Sequence, residues 1–369
     1  MSKKLIPKTK KIVMHMIPSL ASGGAERMLL RIANNDSEYK HIVIIIKKID
    51  DESVFYKINL DSVILLSLSF KGIGDLFYSV KKYLYYLNKY SPDIIQTWMY
   101  HANLFGGLLA YINGHRNIYW NIRSAEVSLK KMKLRTLLFV MLGGLFSHLI
   151  PRSIISCSKR AIDVHKKLFY SKSKFVYIPN GIENSFVLKS KAIINKQPII
   201  GFVARLDPQK NHDNFLKSLR YIDYPINFVL LGRNVRSINL HEYNVNKCNV
   251  TLLDETSDVF SHYDSFDFLV LPSIYGEAFP NVLIEAMARG VVCISSDVGD
   301  SLSIMSTTGY IISDPVSPKS IANAISLAIN DFENNNLLYL SKSKEAIALV
   351  ESNYRLKEII SKYHRIWLQ

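Results

Sequence analysis

Ile199-Ile200-Gly201-Phe202-Val203-Ala204-Arg205-Leu206-Asp207-Pro208-Gln209-Lys210-Asn211 restarts a pattern that the preceding stretch has let lapse. The run 199–204 is short and apolar, as a buried strand is, and Arg205 leaves it at the carboxyl end. Lys210 lies five residues on, where the next helix opens. Between 181 and 198 the chain is polar and carries lysines, so the linker is placed there. Downstream, strands are predicted at 227–231, 249–252, 266–271, 291–295 and 310–312, with helices between them and a helical tail from 317. Upstream, an earlier series is predicted at 12–17, 41–46, 64–68, 93–97, 117–122, 153–157 and 175–178. Short strands alternating with helical segments are the mark of βαβ units and parallel sheets. The expected fold is therefore α/β, two doubly wound Rossmann-like domains, 1–185 and 186–352, facing each other across a cleft, and a last segment, 353–369. Ligands of such sheets bind beyond the carboxyl ends of the strands, so function is sought in the loops after them.

Composition agrees with two domains. The 369 residues, 48% hydrophobic, suffice for two cores, and no repeat or low-complexity tract breaks them. Cys157, Cys248 and Cys293 stand far apart with no CxxC pair, which argues against a disulfide framework or zinc cluster and for a reducing, cytoplasmic compartment. The lysine-rich start leads into an apolar run, 12–17, too short and interrupted for an export signal. The longest apolar run, 137–145, falls short of the ~20 residues a span requires.

Charge divides unevenly. Residues 1–185 hold 28 Lys and Arg against 12 Asp and Glu, a net +16, and residues 186–369 hold 18 against 19, a net −1. The first half is thus expected to draw an acidic partner: anionic lipid, a lipid-linked phosphate or nucleic acid. A generally lysine-rich, solvated surface is the alternative. Lys130, Lys131, Lys133 and Arg135 directly precede the run 137–145, a juxtaposition that suits either a segment lying on an anionic membrane or a buried helix with a basic entry.

Three loops carry candidate chemistry. Gly23 and Gly24 come after the first strand and lead into a helix at 25–34, where backbone N–H groups can meet a phosphate; this is not GxGxxG, and alone it is also an ordinary turn. Arg205 and Lys210 can converge on a diphosphate and neutralise a leaving group. In 271–290, Leu-Pro-Ser-Ile-Tyr-Gly-Glu-Ala-Phe-Pro-Asn-Val-Leu-Ile-Glu-Ala-Met-Ala-Arg-Gly, a strand ends, a loop presents Glu277, and a helix from about Asn281 carries Glu285. Carboxylates accept hydrogen bonds from vicinal hydroxyls, so the pair suits a sugar and a ribose.

The spacing from Glu277 to Glu285 matches the E-x7-E motif of glycosyltransferase family 4. Gly23-Gly24-Ala25-Glu26, Ser156-Cys157-Ser158, Ile178-Pro179-Asn180-Gly181-Ile182 and 201–210 also resemble that family, in order, over most of the chain. The resemblance implies a GT-B fold, with the C-terminal helix, here 354–368, crossing back to the first domain. It implies a retaining transferase in which Arg205 and Lys210 hold the donor diphosphate, Glu277 contacts the transferred sugar and Glu285 bonds the ribose. Gly24 would offer its backbone N–H to the phosphates, beside Gly23, and the backbone of Phe279, Pro280, Asn281 and Val282 would lie against the donor. His101, in 97–103 after the fourth strand, resembles a histidine at the same place in bacterial surface-polysaccharide transferases and is a candidate for donor or acceptor contact. Asn121, Arg123 and Glu126 are weaker candidates.

The expected reaction moves a hexosyl or N-acetylhexosaminyl group from a nucleotide sugar to a glycan, with a polyprenyl-diphosphate-linked oligosaccharide at the inner face of the cytoplasmic membrane as acceptor. Front-face displacement and a double displacement through Glu277 both stay open. No cofactor is expected beyond the donor substrate, and no metal, since the sequence has no D-x-D. Two rivals remain: a GT-B nucleotide-sugar epimerase, against which the E-x7-E and Arg205/Lys210 elements speak, and a nucleic-acid-binding protein, for which no recognised motif is present.

Overall fold

Two fully parallel sheets organise the protein, and the computed structural model describes residues 10–20, 23–47, 62–127, 132–183, 197–245, 247–256 and 258–369. The chain divides into two units: Met1–Arg123 with Val127–Pro179 and Ile359–Gln369, and Asn180–Glu358 with Ser124–Glu126.

The first unit runs β1 (Ile12–Ile17), α1 (Gly24–Asn35), β2 (Lys40–Lys47), β3 (Val63–Phe70), α2 (Leu76–Tyr90), β4 (Ile94–Trp98), α3 (Met99–Ile112), β5 (Ile118–Ile122), α4 (Leu134–Phe146), β6 (Ser153–Ser156), α5 (Lys159–Lys166) and β7 (Phe175–Tyr177). Its sheet order is β3-β2-β1-β4-β5-β6-β7. The second runs β8 (Ile199–Val203), α6 (His212–Ser218), β9 (Asn227–Leu231), β10 (Asn249–Leu253), α7 (Val259–Ser265), β11 (Phe268–Leu271), α8 (Asn281–Met287), β12 (Val292–Ser296), α9 (Ser301–Met305), β13 (Tyr310–Ile312), α10 (Pro318–Asn334) and α11 (Asn336–Asn353), in sheet order β10-β9-β8-β11-β12-β13. α12 (Leu356–Trp367) closes the chain. Among the described residues no helix is long and apolar enough to cross a membrane.

Strand order reverses between β1 and β4 and again between β8 and β11, so in each sheet the loops after those strands diverge and leave a crevice. Buried on both faces, the strands read as nearly unbroken apolar runs such as Phe268-Leu269-Val270-Leu271. In the second unit Phe215 stacks edge-on against Phe202 and Phe228 at 5.0 and 5.4 Å. Gly201 is required by close approach: a Cβ there would lie 2.1 Å from the Phe266 ring. Strand β11 begins at Phe268 rather than 266, and just ahead of it the Asp267 carboxylate accepts the Ile199 N–H at 2.9 Å.

The chain comes back to the first unit through α12. Ile182 bridges Tyr354 and Leu356 through two backbone hydrogen bonds of 2.8 Å, and the helix then lays its aromatic face on strands of the first sheet. Trp367 Nε1 donates to the buried Gln96 Oε1 at 2.8 Å, and the Tyr363 hydroxyl accepts from Asn121 and Arg123 at 3.1 and 3.0 Å. His364 reaches the buried Asp36 carboxylate at 2.8 Å. That carboxylate also ends a directional chain. The Trp98 indole, which can only donate, bonds His15 Nδ1 at 3.2 Å, so His15 donates from Nε2 to His41 Nδ1 at 2.9 Å. His41 then donates from Nε2 to Asp36 at 3.1 Å.

Burial alone would raise the Asp36 pKa, but the hydrogen bonds from His364 and His41 outweigh it and hold the carboxyl well below the usual range. Burial, reinforced by His41, pushes His15 well below 6.5. Both shifts act in one direction. A carboxyl whose folded pKa is depressed contributes stability that is complete above its unfolded value near 3.9 and is lost as pH falls below it. A histidine kept neutral by burial destabilises the fold as pH falls below about 6.5. Chemical denaturation of the wild type should therefore show stability declining from pH 7 towards 4, with a further loss below about 4. Asp36→Asn is expected to cost roughly 2–4 kcal/mol at pH 7 and to flatten only the limb below pH 4.

Candidate active site

At the carboxyl ends of β8 and β11, which are neighbours in the second sheet, two loops are tied together by hydrogen bonds. The loop after β8 carries a single 3-10 turn, Pro208–Lys210, whose first N–H groups are served by Asp207: its Oδ1 accepts from Gln209 N at 3.0 Å. Asn211 ends that turn in the left-handed region, φ 67°, a conformation asparagine tolerates better than most residues. Its amide donates to Pro272 O at 3.0 Å and to Pro315 O at 2.6 Å, so one side chain pins the β8 loop to the loops after β11 and β13. Ile274 N donates to Gln209 O at 3.0 Å, a second tie.

On this frame Lys210 Nζ donates to Glu277 Oε1 in a short ion pair whose side chains are 15% and 10% exposed. Ser273, fully buried, donates from Oγ to the same oxygen at 3.0 Å. Largely buried ion pairs cost desolvation, which good geometry and an added hydrogen bond offset. Glu277 is thus a fixed carboxylate with its donors on Oε1.

Arg205, the other cation of the loop, is 52% exposed and is held by Asp207 Oδ2, 3.1 Å from Nη2 and 3.2 Å from Nε. Arg205 and Lys210 therefore have different carboxylate partners here. Gly232, after β9, supports Arg205 from behind; a Cβ would lie 2.1 Å from Ala204 O. Downstream, Phe279 and Pro280 are buried while Asn281 and Val282 are half-buried, and Asn281 Oδ1 accepts from Asn180 at 2.7 Å. Glu285 is buried within α8, where the Tyr263 hydroxyl donates to it at 3.4 Å. Beside the loop, His212 stacks on Phe202 at 4.3 Å, and burial lowers its pKa to about 4, leaving it neutral at pH 7.

Gly23, Gly24 and His101 belong to the first unit. Gly23 caps α1 and has no side chain of its own to bond the helix start; a Cβ on Gly23 would lie 2.3 Å from the Glu26 carboxylate. His101 comes after Met99, which joins β4 to α3 at φ 70°, a strained conformation for that residue. The His101 ring packs on Phe139 of α4 at 4.4 Å. Burial, then the charge of Lys47, lowers its pKa and favours the neutral imidazole. Asn121 and Arg123 are engaged by Tyr363 of α12, and Arg123 also lies over the Trp98 ring at 4.7 Å. Lys130 and Lys131 lie outside the described residues. The described residues contain no group of three His, Cys, Asp or Glu that could hold a metal.

Sequence reasoning missed Asn211, Ser273 and Gly299. Asn211 offered one signal, an asparagine directly after a cation at a helix entry. Gly299, at φ 55°, lies against the backbone of the Glu277 loop: a Cβ would stand 2.6 Å from Glu277 O and 2.5 Å from Ala278 O.

Two parallel α/β units with a last helix returned to the first define the class of this protein as GT-B. Over 96% of this chain and 98% of the other, it superposes with a TM-score of 0.80 and 16% identity on Anabaena HepE, whose crystal structure holds UDP and glucose. Residues 185–346 match the family described as glycosyl transferases group 1. The chain is 27% identical over 294 residues, 76% of its length and 78% of the other's, to the Campylobacter jejuni GalNAc-alpha-(1->4)-GalNAc-alpha-(1->3)-diNAcBac-PP-undecaprenol alpha-1,4-N-acetyl-D-galactosaminyltransferase. It is 32% identical over 103 residues to the lipopolysaccharide 1,2-N-acetylglucosaminetransferase of Salmonella typhimurium, a match that spans only 26% of that protein. Each of these sequence matches is to a glycosyltransferase, and the group 1 family model falls on the second unit.

Since Gly299 touches the Glu277 loop through backbone alone, Gly299→Ala should cost more than about 1 kcal/mol in a denaturant melt, from both the left-handed φ and the blocked space. Gly74→Ala, where no atom lies within 4 Å, is the control and should leave the midpoint nearly unchanged.

Proposed function

We propose that the protein is a retaining glycosyltransferase that moves a hexosyl or N-acetylhexosaminyl group from a nucleotide sugar, most simply a UDP sugar, to a polyprenyl-diphosphate-linked glycan in the assembly of a bacterial surface polysaccharide. The observation that carries the proposal is the fixed Lys210–Glu277 pair on the pinned β8 and β11 loops, with Arg205 beside it. Two cations on one loop suit the diphosphate of a donor, and a carboxylate anchored through one oxygen suits a sugar hydroxyl at the other. The family match at 185–346 and the UDP bound in the HepE structure support the donor class. The undecaprenol-linked substrate in the Campylobacter relative's name supports the acceptor class, and the reaction is proposed to take place at the cytoplasmic face of a membrane.

In this reading the acceptor hydroxyl attacks the anomeric carbon from the face that the diphosphate leaves. The bond from the anomeric carbon to the phosphate oxygen breaks, and the departing phosphate takes the acceptor proton. Lys210 and Arg205 hold the negative charge that grows on the diphosphate. To meet the donor, Arg205 exchanges Asp207 for phosphate, a change open to a half-exposed side chain. Glu277 positions the sugar, Glu285 reaches the ribose in competition with the Tyr263 hydroxyl, and the backbone of 279–282 and of Gly23 and Gly24 lines the donor. His101, neutral at pH 7, contacts donor or acceptor as a hydrogen-bonding group. We propose that no divalent cation takes part, a reading supported by the absence of D-x-D in the sequence.

The test is thermal stabilisation by UDP, GDP and their sugars in EDTA. A ligand at 100 times its Kd should add about 2.7 kcal/mol. One nucleotide series is expected to stabilise the wild type, and Lys210→Ala to abolish the gain. With the donor identified, Lys210→Ala and Glu277→Ala should each lower kcat by about 10²–10³-fold, and NMR of the product should show the donor's anomeric configuration retained. Failure of every nucleotide to bind, or binding untouched in Lys210→Ala, would overturn the assignment.

A further inference from the structure

Helix α4 is apolar almost all round, and its apolar stripe faces the wrong way for a core. Leu134, Leu138, Met141, Leu142, Leu145 and, just beyond the helix, Leu149 recur at helical spacing, and all are exposed, from 37% at Leu142 to 80% at Leu134. The opposite side holds the small residues. Gly143 and Gly144 let the helix lie directly on the segment after α5: a Cβ on either would stand 2.6 Å from the Tyr170 hydroxyl or 2.4 Å from Leu168 O. The helix is therefore seated firmly, with Val140, Phe139 and Phe146 packed inward and Leu134, Leu138, Met141, Leu142 and Leu145 turned outward.

The segment beneath it adds a further exposed ring. Phe169 sits at φ 62°, a left-handed conformation that a bulky residue adopts at a cost, and its side chain is 70% exposed. His148 holds it there through a 3.0 Å bond to Phe169 O, and Lys174 Nζ, on Ser147 O at 3.1 Å, braces the same turn. Phe169, Met141 and Leu145 border an open concavity of about 810 Å³ whose rim carries Lys166, Lys167 and Lys172. Lys133 and Arg135 stand exposed at the start of α4. Between residues 132 and 175 the sequence has nine Lys and Arg against one acid, Asp163.

An exposed apolar stripe bordered by cations, with almost no anions, has the chemistry of a surface that rests at the headgroup level of an anionic bilayer. We propose that the outer face of α4, with Phe169 and the Lys166–Lys167–Lys172 rim, is a docking surface for anionic membrane, dipping Leu138, Leu142, Leu145 and Phe169 into the interface. The sign of the charge favours lipid over a second copy of this chain, which would bring like charges together. The assignment deepens the reading of a lipid-linked acceptor, but its chemistry and its test are separate from the donor site.

The test is co-sedimentation of the full chain with vesicles of phosphatidylglycerol and phosphatidylethanolamine, and with neutral phosphatidylcholine vesicles, at low and high salt. Binding is expected to the anionic vesicles only, weakening with salt. Leu138→Glu/Leu145→Glu, on exposed positions, should lower the partition coefficient about tenfold or more, Lys167→Glu/Lys172→Glu should lower it similarly, and Phe169→Ser less. UDP stabilisation should be unchanged in all three, which separates loss of docking from loss of fold or of the donor site. No anionic preference in the wild type, or equal binding by the variants, would overturn the proposal. So would a concentration-dependent dimer in light scattering that Leu138→Glu/Leu145→Glu abolishes, since the face would then belong to a second copy.

Discussion

Every strand pairing among the described residues is parallel, and that constraint governs where the loops can go. Parallel neighbours cannot be joined by a tight turn; the chain must travel back along the sheet, usually as a helix, before the next strand starts. All loops that leave strands therefore gather at one edge of each sheet. In the second unit this brings the loops after β8, β11, β12 and β13 together, and the protein uses the proximity: Asn211 bonds Pro272 and Pro315, and Ser296 donates to Ser273 O at 2.5 Å. Lys210 and Glu277, 67 residues apart in sequence, meet because their strands are neighbours.

Local patterning made the strands legible. The predicted strands correspond to β1 through β13, mostly within two residues at each end, because both faces of a parallel sheet are buried and the apolar runs stand out. The helix at Asn281 was legible for a similar reason, a proline ahead of apolar periodicity. Partnership could not be read locally. Glu285 looked from its spacing like a group offered to ligand, but its burial and its bond to Tyr263 depend on where α7 packs. Arg205 looked paired in purpose with Lys210, yet its own loop supplies Asp207 two residues away. Asn121 and Arg123 looked like candidates for donor or acceptor contact after a strand, and only the return of Tyr363, some 240 residues later, shows what they hold.

α4 illustrates the same limit from the other side. The sequence left two readings of 137–145, a buried helix or a surface one, since composition does not say which face is covered. Gly143 and Gly144 meet residues 168–170 at distances that leave no room for a Cβ, and Leu134, Leu138, Leu142 and Leu145 are left outside. A hydrophobic helix can thus keep one apolar face exposed when glycines set the side that meets its neighbour.

The recruitment of α12 to the first unit has a consequence for how the protein is made. A ribosome releases the seven strands of the first sheet long before residues 363–367, and synthesis at about 5–20 residues per second leaves an interval of several seconds or more between them. During that interval Asp36, Gln96 and Asn121 lack the His364, Trp367 and Tyr363 groups that later cover them. The first unit to emerge is in this sense finished late, since Asp36, Gln96 and Asn121 wait for partners that lie more than 180 residues beyond its last strand.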